Sequence, residues 1–119
     1  MIIKTLDDEA GFRAGDASFL KELLNPVREP LPIRYSLAHA EVGPGAATLP
    51  HRLTVSEVYY ILEGRGRMHV GGELAEIAAG QAVCIPPGEI QFIENIGTSR
   101  LAFLCIVDPA WTPESEEVL

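Results

Sequence analysis

No run of about 18 apolar residues occurs in the chain, so no membrane-spanning helix is predicted. Basic side chains are few: nine Lys and Arg stand against 17 Asp and Glu, a formal charge of -8. That balance repels phosphate backbones and anionic lipid surfaces at long range, and it argues against nucleic acid or membrane as a partner. Cysteine is scarce, with only Cys84 and Cys105, and there is no CxxC pair or Cys/His cluster to hold a thiolate zinc site. Each cysteine lies in an apolar, strand-like run, where a free thiol behaves as a small hydrophobe. Both are read as reduced core residues of a cytoplasmic protein. The first residues lack an apolar run behind a basic start, and Asp7, Asp8 and Glu9 interrupt them, so a cleaved secretory signal is not expected.

Helical periodicity is also scarce, and is confined to the first 30 residues. There Asp16 is placed to cap a short helix whose one face carries Phe19, Leu20, Leu23 and Leu24, with Asn25-Pro26 ending it. The two prolines of Val27 to Pro32 lack amide donors, so this stretch is expected to be a connector over the rest of the fold. From Ile33 onward short apolar runs alternate with turn signals: 33–42, 55–62, 67–70, 74–77, 82–85, 91–94 and 101–107. The intervening Gly43-Pro44-Gly45, Gly64-Arg65-Gly66, Gly71-Gly72, Gly80, Pro86-Pro87-Gly88 and Asn95-Ile96-Gly97 supply the turns. The pattern predicts an all-β sandwich or barrel.

With 119 residues, one core that buries roughly 65% of the unfolded chain's surface is the expected organisation. It divides into an N-terminal helix and connector (1–32), a barrel (33–108) and an acidic tail (109–119) expected to be irregular, with Trp111 as a surface anchor. The run 58–62 is apolar on both parities and needs cover on both faces. A homodimer is expected to supply one cover, with burial under the N-terminal segment as the alternative.

Two spaced motifs carry a family resemblance. Gly45 is followed after five residues by His51; Leu53, Glu57 and Gly64 continue the spacing. Gly80, Pro86, Gly88, Gln91 and Asn95 form a second set. These stretches resemble the two conserved motifs of the cupins, G-x5-H-x-H-x3,4-E-x6-G and G-x5-P-x-G-x2-H-x3-N, with Leu53 and Gln91 at two positions where the family has histidine. The resemblance implies a double-stranded β-helix, a jelly-roll cupin barrel, with a pocket at one mouth where many relatives hold Mn, Fe, Ni, Cu or Zn. A fold shared by so many chemistries does not name a reaction.

On this mapping His51 is a metal ligand or a hydrogen-bonded pocket histidine. Glu57 is expected in the same pocket, paired with metal, His51 or substrate, since a lone buried carboxylate tends to protonate. Leu53 cannot bind metal. Gln91 offers a carbonyl ligand, an N–H donor toward substrate or a structural amide. Strand alternation over 33–42 puts His39 with the larger apolar side chains on the presumed inner face, where it is a core residue or a further ligand. Tyr59 shares the parity of Glu57, and its phenol is a pocket acid, a donor or a packing group. His69, near the Gly71-Gly72 turn, is given no role.

Two functions follow, and the sequence leaves both open. One is a metal-dependent protein acting on a small oxygen-rich molecule, with His51, Glu57, Gln91 and His39 as the ligand set and Glu57 and Tyr59 as candidate catalytic groups. The other is a small-molecule binding module, metal-free or weakly metal-binding, in which His51 and Glu57 form a polar pair in an apolar cup. A metal-free acid–base enzyme using Glu57 is a lesser variant.

Overall fold

A computed structural model describes all 119 residues. In chain order the strands are β1 (Phe12–Arg13), β2 (Phe19–Leu24), β3 (Ser36–Val42), β4 (His51–Leu53), β5 (Ser56–Glu63), β6 (Arg65–Val70), β7 (Glu73–Ala78), β8 (Ala82–Ile85), β9 (Gln91–Asn95), β10 (Leu101–Asp108) and β11 (Glu116–Val118). They form a six-stranded sheet in the order β1-β2-β3-β10-β5-β8 and a five-stranded sheet in the order β11-β4-β9-β6-β7. All pairings are antiparallel, and the two sheets face one another as a jelly roll. No helix is long and apolar enough to cross a membrane.

Each of the seven expected runs is a strand, with ends shifted by up to three residues. Between the sheets, Ile61, Ile85 and Phe103 of one meet Met68, Ile77 and Ile93 of the other in a single buried cluster. Several motif residues serve this frame rather than any chemistry. Asn95 donates through Nδ2 to the carbonyls of Val42 and Ser99 (2.9 and 2.8 Å) and accepts from the Gly97 amide (2.9 Å), joining the end of β9 to the end of β3. Gly64 turns β5 into β6 at φ +88, and a Cβ there would lie 2.5 Å from the Arg100 carbonyl oxygen.

Three expectations need correction. The helix expected after Asp16 is the strand β2, paired to β3 from Phe19↔Glu41 to Leu24↔Leu37; the only N-terminal helix is a 3-10 turn at Leu6–Asp8. A lone helix this short is marginal, whereas the open edge of β3 gives every second amide a partner. Asp16 does cap, but it caps a turn: its Oδ1 accepts from the Ser18 amide (3.0 Å) and hydroxyl (2.7 Å). The tail is ordered, since a capping-box turn at Pro113–Ser115 leads into β11, which pairs with β4. Cys105 is buried, but Cys84 is exposed, because it lies on β8, the sheet's edge strand.

Gly64→Ala is expected to destabilise the fold by at least about 2 kcal/mol, from the left-handed backbone plus the clash with Arg100. Gly72→Ala, at φ +96 with nothing within 4 Å of its Cβ, should cost about half that. Urea midpoints at unchanged slope give both values.

Candidate functional site

Small residues make the space. Ser36, Ala38 and Ala40, the even positions of β3, line a cavity of about 90 Å³ whose other walls include Tyr59, Phe103 and Cys105. That volume admits only a small occupant. The acidic and basic side chains on its wall come from both ends of the chain as well as from the barrel: Asp16, Glu22 and Arg28, then His51 and Glu57, then Glu116.

His51 and Gln91 are direct cross-strand partners on β4 and β9, so both side chains point between the sheets. The His51 side chain is 3% exposed. Its Nδ1 donates to the Leu49 carbonyl oxygen (2.6 Å), which leaves Nε2 facing Asp16 Oδ2 at 3.6 Å, too far for a hydrogen bond. In the neutral ring this Nε2 presents a lone pair. One donor atom each from Asp16, His51 and Glu116 lie within 4.8 Å of one another. Glu116 also accepts from Trp111 Nε1 (3.0 Å); burial, and then the charge of Asp16, push its carboxyl above the ordinary range.

Glu57 takes a different partner. Gln91 Nε2 donates to its Oε1 at 2.9 Å, and burial, outweighing that bond, pushes the carboxyl up to about 8, so it is protonated at neutral pH. Gln91 Oε1 is buried and has no partner. Tyr59 lies on the same face of β5, tilted against Phe103 with ring centroids 4.4 Å apart, and burial raises its phenol well above the ordinary value. Leu53 is buried on the cavity wall beside His51.

The structure thus brings His51, Glu57, Tyr59 and Gln91 to one interior, and it does not bring His39 there. His39 is buried but pairs across strands with Lys21 and Leu104, on the face of the six-stranded sheet turned away from the cavity. Residue size misled the parity argument: the inner face of β3 carries the small residues because the cavity needs the room. His69 lies outside the barrel, stacked on Phe92 (centroids 4.0 Å apart) with Nε2 2.6 Å from Glu94 Oε1. Asp16 and Glu116 went unrecognised in the sequence, one read as a helix cap and the other as part of an acidic tail. The available signal was negative: Leu53 and Gln91 stand at two positions where the family motif has imidazole.

The protonated Glu57 has a pH consequence that can be measured on chelator-treated protein. Its pKa is about 8 folded against 4.5 ordinarily, so the folded state holds one more proton between those values. The stability this contributes is whole below about pH 4.5 and declines by roughly 1.4 kcal/mol per pH unit up to about pH 8. Glu57→Gln, a neutral isostere, should remove that decline. Urea unfolding at about pH 5 and about pH 8 should therefore show a smaller loss for the variant than for the parent.

Comparison with known proteins agrees with this architecture. The cupin domain family profile matches residues 38–107. An uncharacterised protein of Methanocaldococcus jannaschii is 41% identical over 120 residues, covering 99% of this chain and 95% of its own. An oxalate-binding protein of Thermotoga maritima is 35% identical over 71 residues, 59% of each chain. A dimethylsulfoniopropionate lyase of Ruegeria pomeroyi is 45% identical over 67 residues, which are 56% of this chain and 43% of the lyase. Among solved structures, a predicted oxalate decarboxylase of Thermotoga maritima superposes with TM-score 0.80 at 24% identity, over 91% of this chain and 99% of its own. Oxalate decarboxylase of Bacillus subtilis does so with TM-score 0.82 at 17% identity, over 100% of this chain and 33% of its own. The chain belongs to the cupin family.

Proposed function

We propose that this cupin binds a divalent metal ion in its barrel cavity through His51, Asp16 and Glu116, and uses the remaining space for a small oxygen-rich molecule. The observation that carries this reading is the buried His51: its Nδ1 is committed to Leu49, and its Nε2 is left without a hydrogen bond among carboxylate oxygens. An imidazole with two carboxylates suits first-row divalent ions such as Mn, Fe or Zn. A metal bound there would polarise an oxygen of the ligand. The chain's own groups have separate parts: protonated Glu57 and Tyr59 can donate hydrogen bonds to the ligand, and Arg28 is the one guanidinium on the cavity wall. Two relatives, an oxalate-binding protein and a dimethylsulfoniopropionate lyase, support a small carboxylate as the ligand class.

Tag-free chain stripped with chelator and titrated with manganese(II) or zinc(II) in a calorimeter should bind close to one ion. His51→Ala should weaken binding at least about tenfold, as losing a direct ligand exceeds the usual effect of an outer partner. If the parent takes up no metal, the metal-free binding module is the better reading. Its support is that Glu57, in a cavity with largely apolar walls, already has its hydrogen-bond partner in Gln91 behind it.

A homodimer belongs to the same proposal. On the outer face of the six-stranded sheet Tyr60 and Leu62 are exposed, with Val58, Leu104 and Ile106 half-buried beside them. Sedimentation at micromolar concentration should give twice the 12.9 kDa chain mass; a species of 12.9 kDa alone would reject the dimer.

A further inference from the structure

The candidate ligands have an unusual origin. His51 belongs to the barrel, but Asp16 lies in the turn between β1 and β2, and Glu116 opens β11. Each segment contributes only a short edge strand at this point. β1 has two residues and β11 has three, and each is the outermost strand of its sheet. They converge on β4: the Leu49 amide donates to the Asp16 carbonyl (2.7 Å), Thr54 to that of Ser115 (2.8 Å), and Val118 pairs directly with His51. They also meet one another, Gly15 lying against the Val118 side chain.

Closing them this way works against local forces. Ala17 takes φ +74, a left-handed conformation that a residue with a Cβ rarely adopts, and so holds the turn that carries Asp16. The closure also sets two carboxylates beside one another in a partly buried space, and their mutual repulsion pushes the segments apart. Asp16 Oδ1 is occupied by Ser18, but Oδ2 and His51 Nε2 face one another with no hydrogen bond between them. A cation at this point would turn the repulsion into attraction to a shared charge.

Resting on the metal reading above, we infer that a divalent cation held by Asp16, His51 and Glu116 clamps the two ends of the chain onto the barrel, so that the closed cavity wall is a cation-dependent state. Asp16 and Glu116 then do more than replace missing imidazoles. Each makes the docking of its own segment depend on the other.

Amide hydrogen exchange on the full chain, chelator-treated or saturated with manganese(II), tests this directly. The Ser18 and Leu49 amides report the N-terminal segment; Thr54 and Leu119, which bond Ser115 and Pro50, report the C-terminal one. Metal should slow all four by about tenfold or more. Asp16→Asn should abolish the slowing at Thr54 and Leu119, and Glu116→Gln that at Ser18 and Leu49, effects across segments that a local role would not produce. The parent comparison decides the matter even if a variant fails to fold. Manganese binding with unchanged exchange at both segments would overturn the clamp and leave the metal reading standing; absence of manganese binding would overturn both.

Discussion

Putting carboxyl groups into an apolar barrel is costly unless each finds a proton, a donor or a cation, and the interior of this protein is arranged around that requirement. Glu57, the deepest, takes a proton and a bond from Gln91. Glu22 takes Arg28 (2.6 Å) and the amide of Asn25 (2.9 Å). Asp16 and Glu116 each find one neutral donor, Ser18 and Trp111, and then face the unbonded nitrogen of His51. The last group alone lacks a complete answer within the chain. That imbalance makes it the place where a cation is expected, and it separates the pocket into a neutral floor and an anionic wall.

This separation changes how the family's motif reads. Where relatives are expected to use four ligands from two motifs, two of the corresponding residues here no longer meet a metal-binding need. Leu53 is a wall residue, and Gln91 is engaged with Glu57. A neutral, hydrogen-bonded Glu57 suits donation to a ligand better than coordination. On the proposed reading the ligands are Asp16, His51 and Glu116, with His51 as the residue common to this set and the family motif. The oxalate-related neighbours share the scaffold, but their low identity carries the fold and not this detail.

The scaffold that permits the move is the jelly roll with strands added at its edges. Beyond the seven strands predicted from residue 33 onward, β1 and β2 extend one sheet, and β4 and β11 pair within the other. On one side of each sheet the edges of β3 and β4 are covered by the chain's own ends, while β8 and β7 remain edges on the other side. The same additions deliver Asp16 and Glu116 to His51. Trp111 links the two functions: its backbone amide bonds Ser36 Oγ on β3 (3.0 Å), its indole bonds Glu116, and its ring lies beneath the Arg28 guanidinium at 5.8 Å.

Local pattern alone determined much of this protein. Alternating apolar runs punctuated by Gly and Pro specified seven of the eight strands from Ser36 to Asp108, all but β4, since turn geometry and two-residue periodicity are properties of neighbouring residues. Motif spacing placed His51, Glu57 and Gln91 in one interior for the same reason, because β4, β5 and β9 each carry their motif residue at a set distance from a turn. What spacing could not decide was anything that depends on partners far along the chain. The segment from Phe19 to Leu24 fits a helix or a strand by pattern, and only the free edge of β3 selects the strand. His39 and Ala38 differ in parity, but which parity faces inward depends on where the cavity lies. Asp16 and Glu116 are separated by almost the whole sequence, and their meeting at His51 exists only once both sheets have closed, because it is the sum of long-range pairings that no local segment contains.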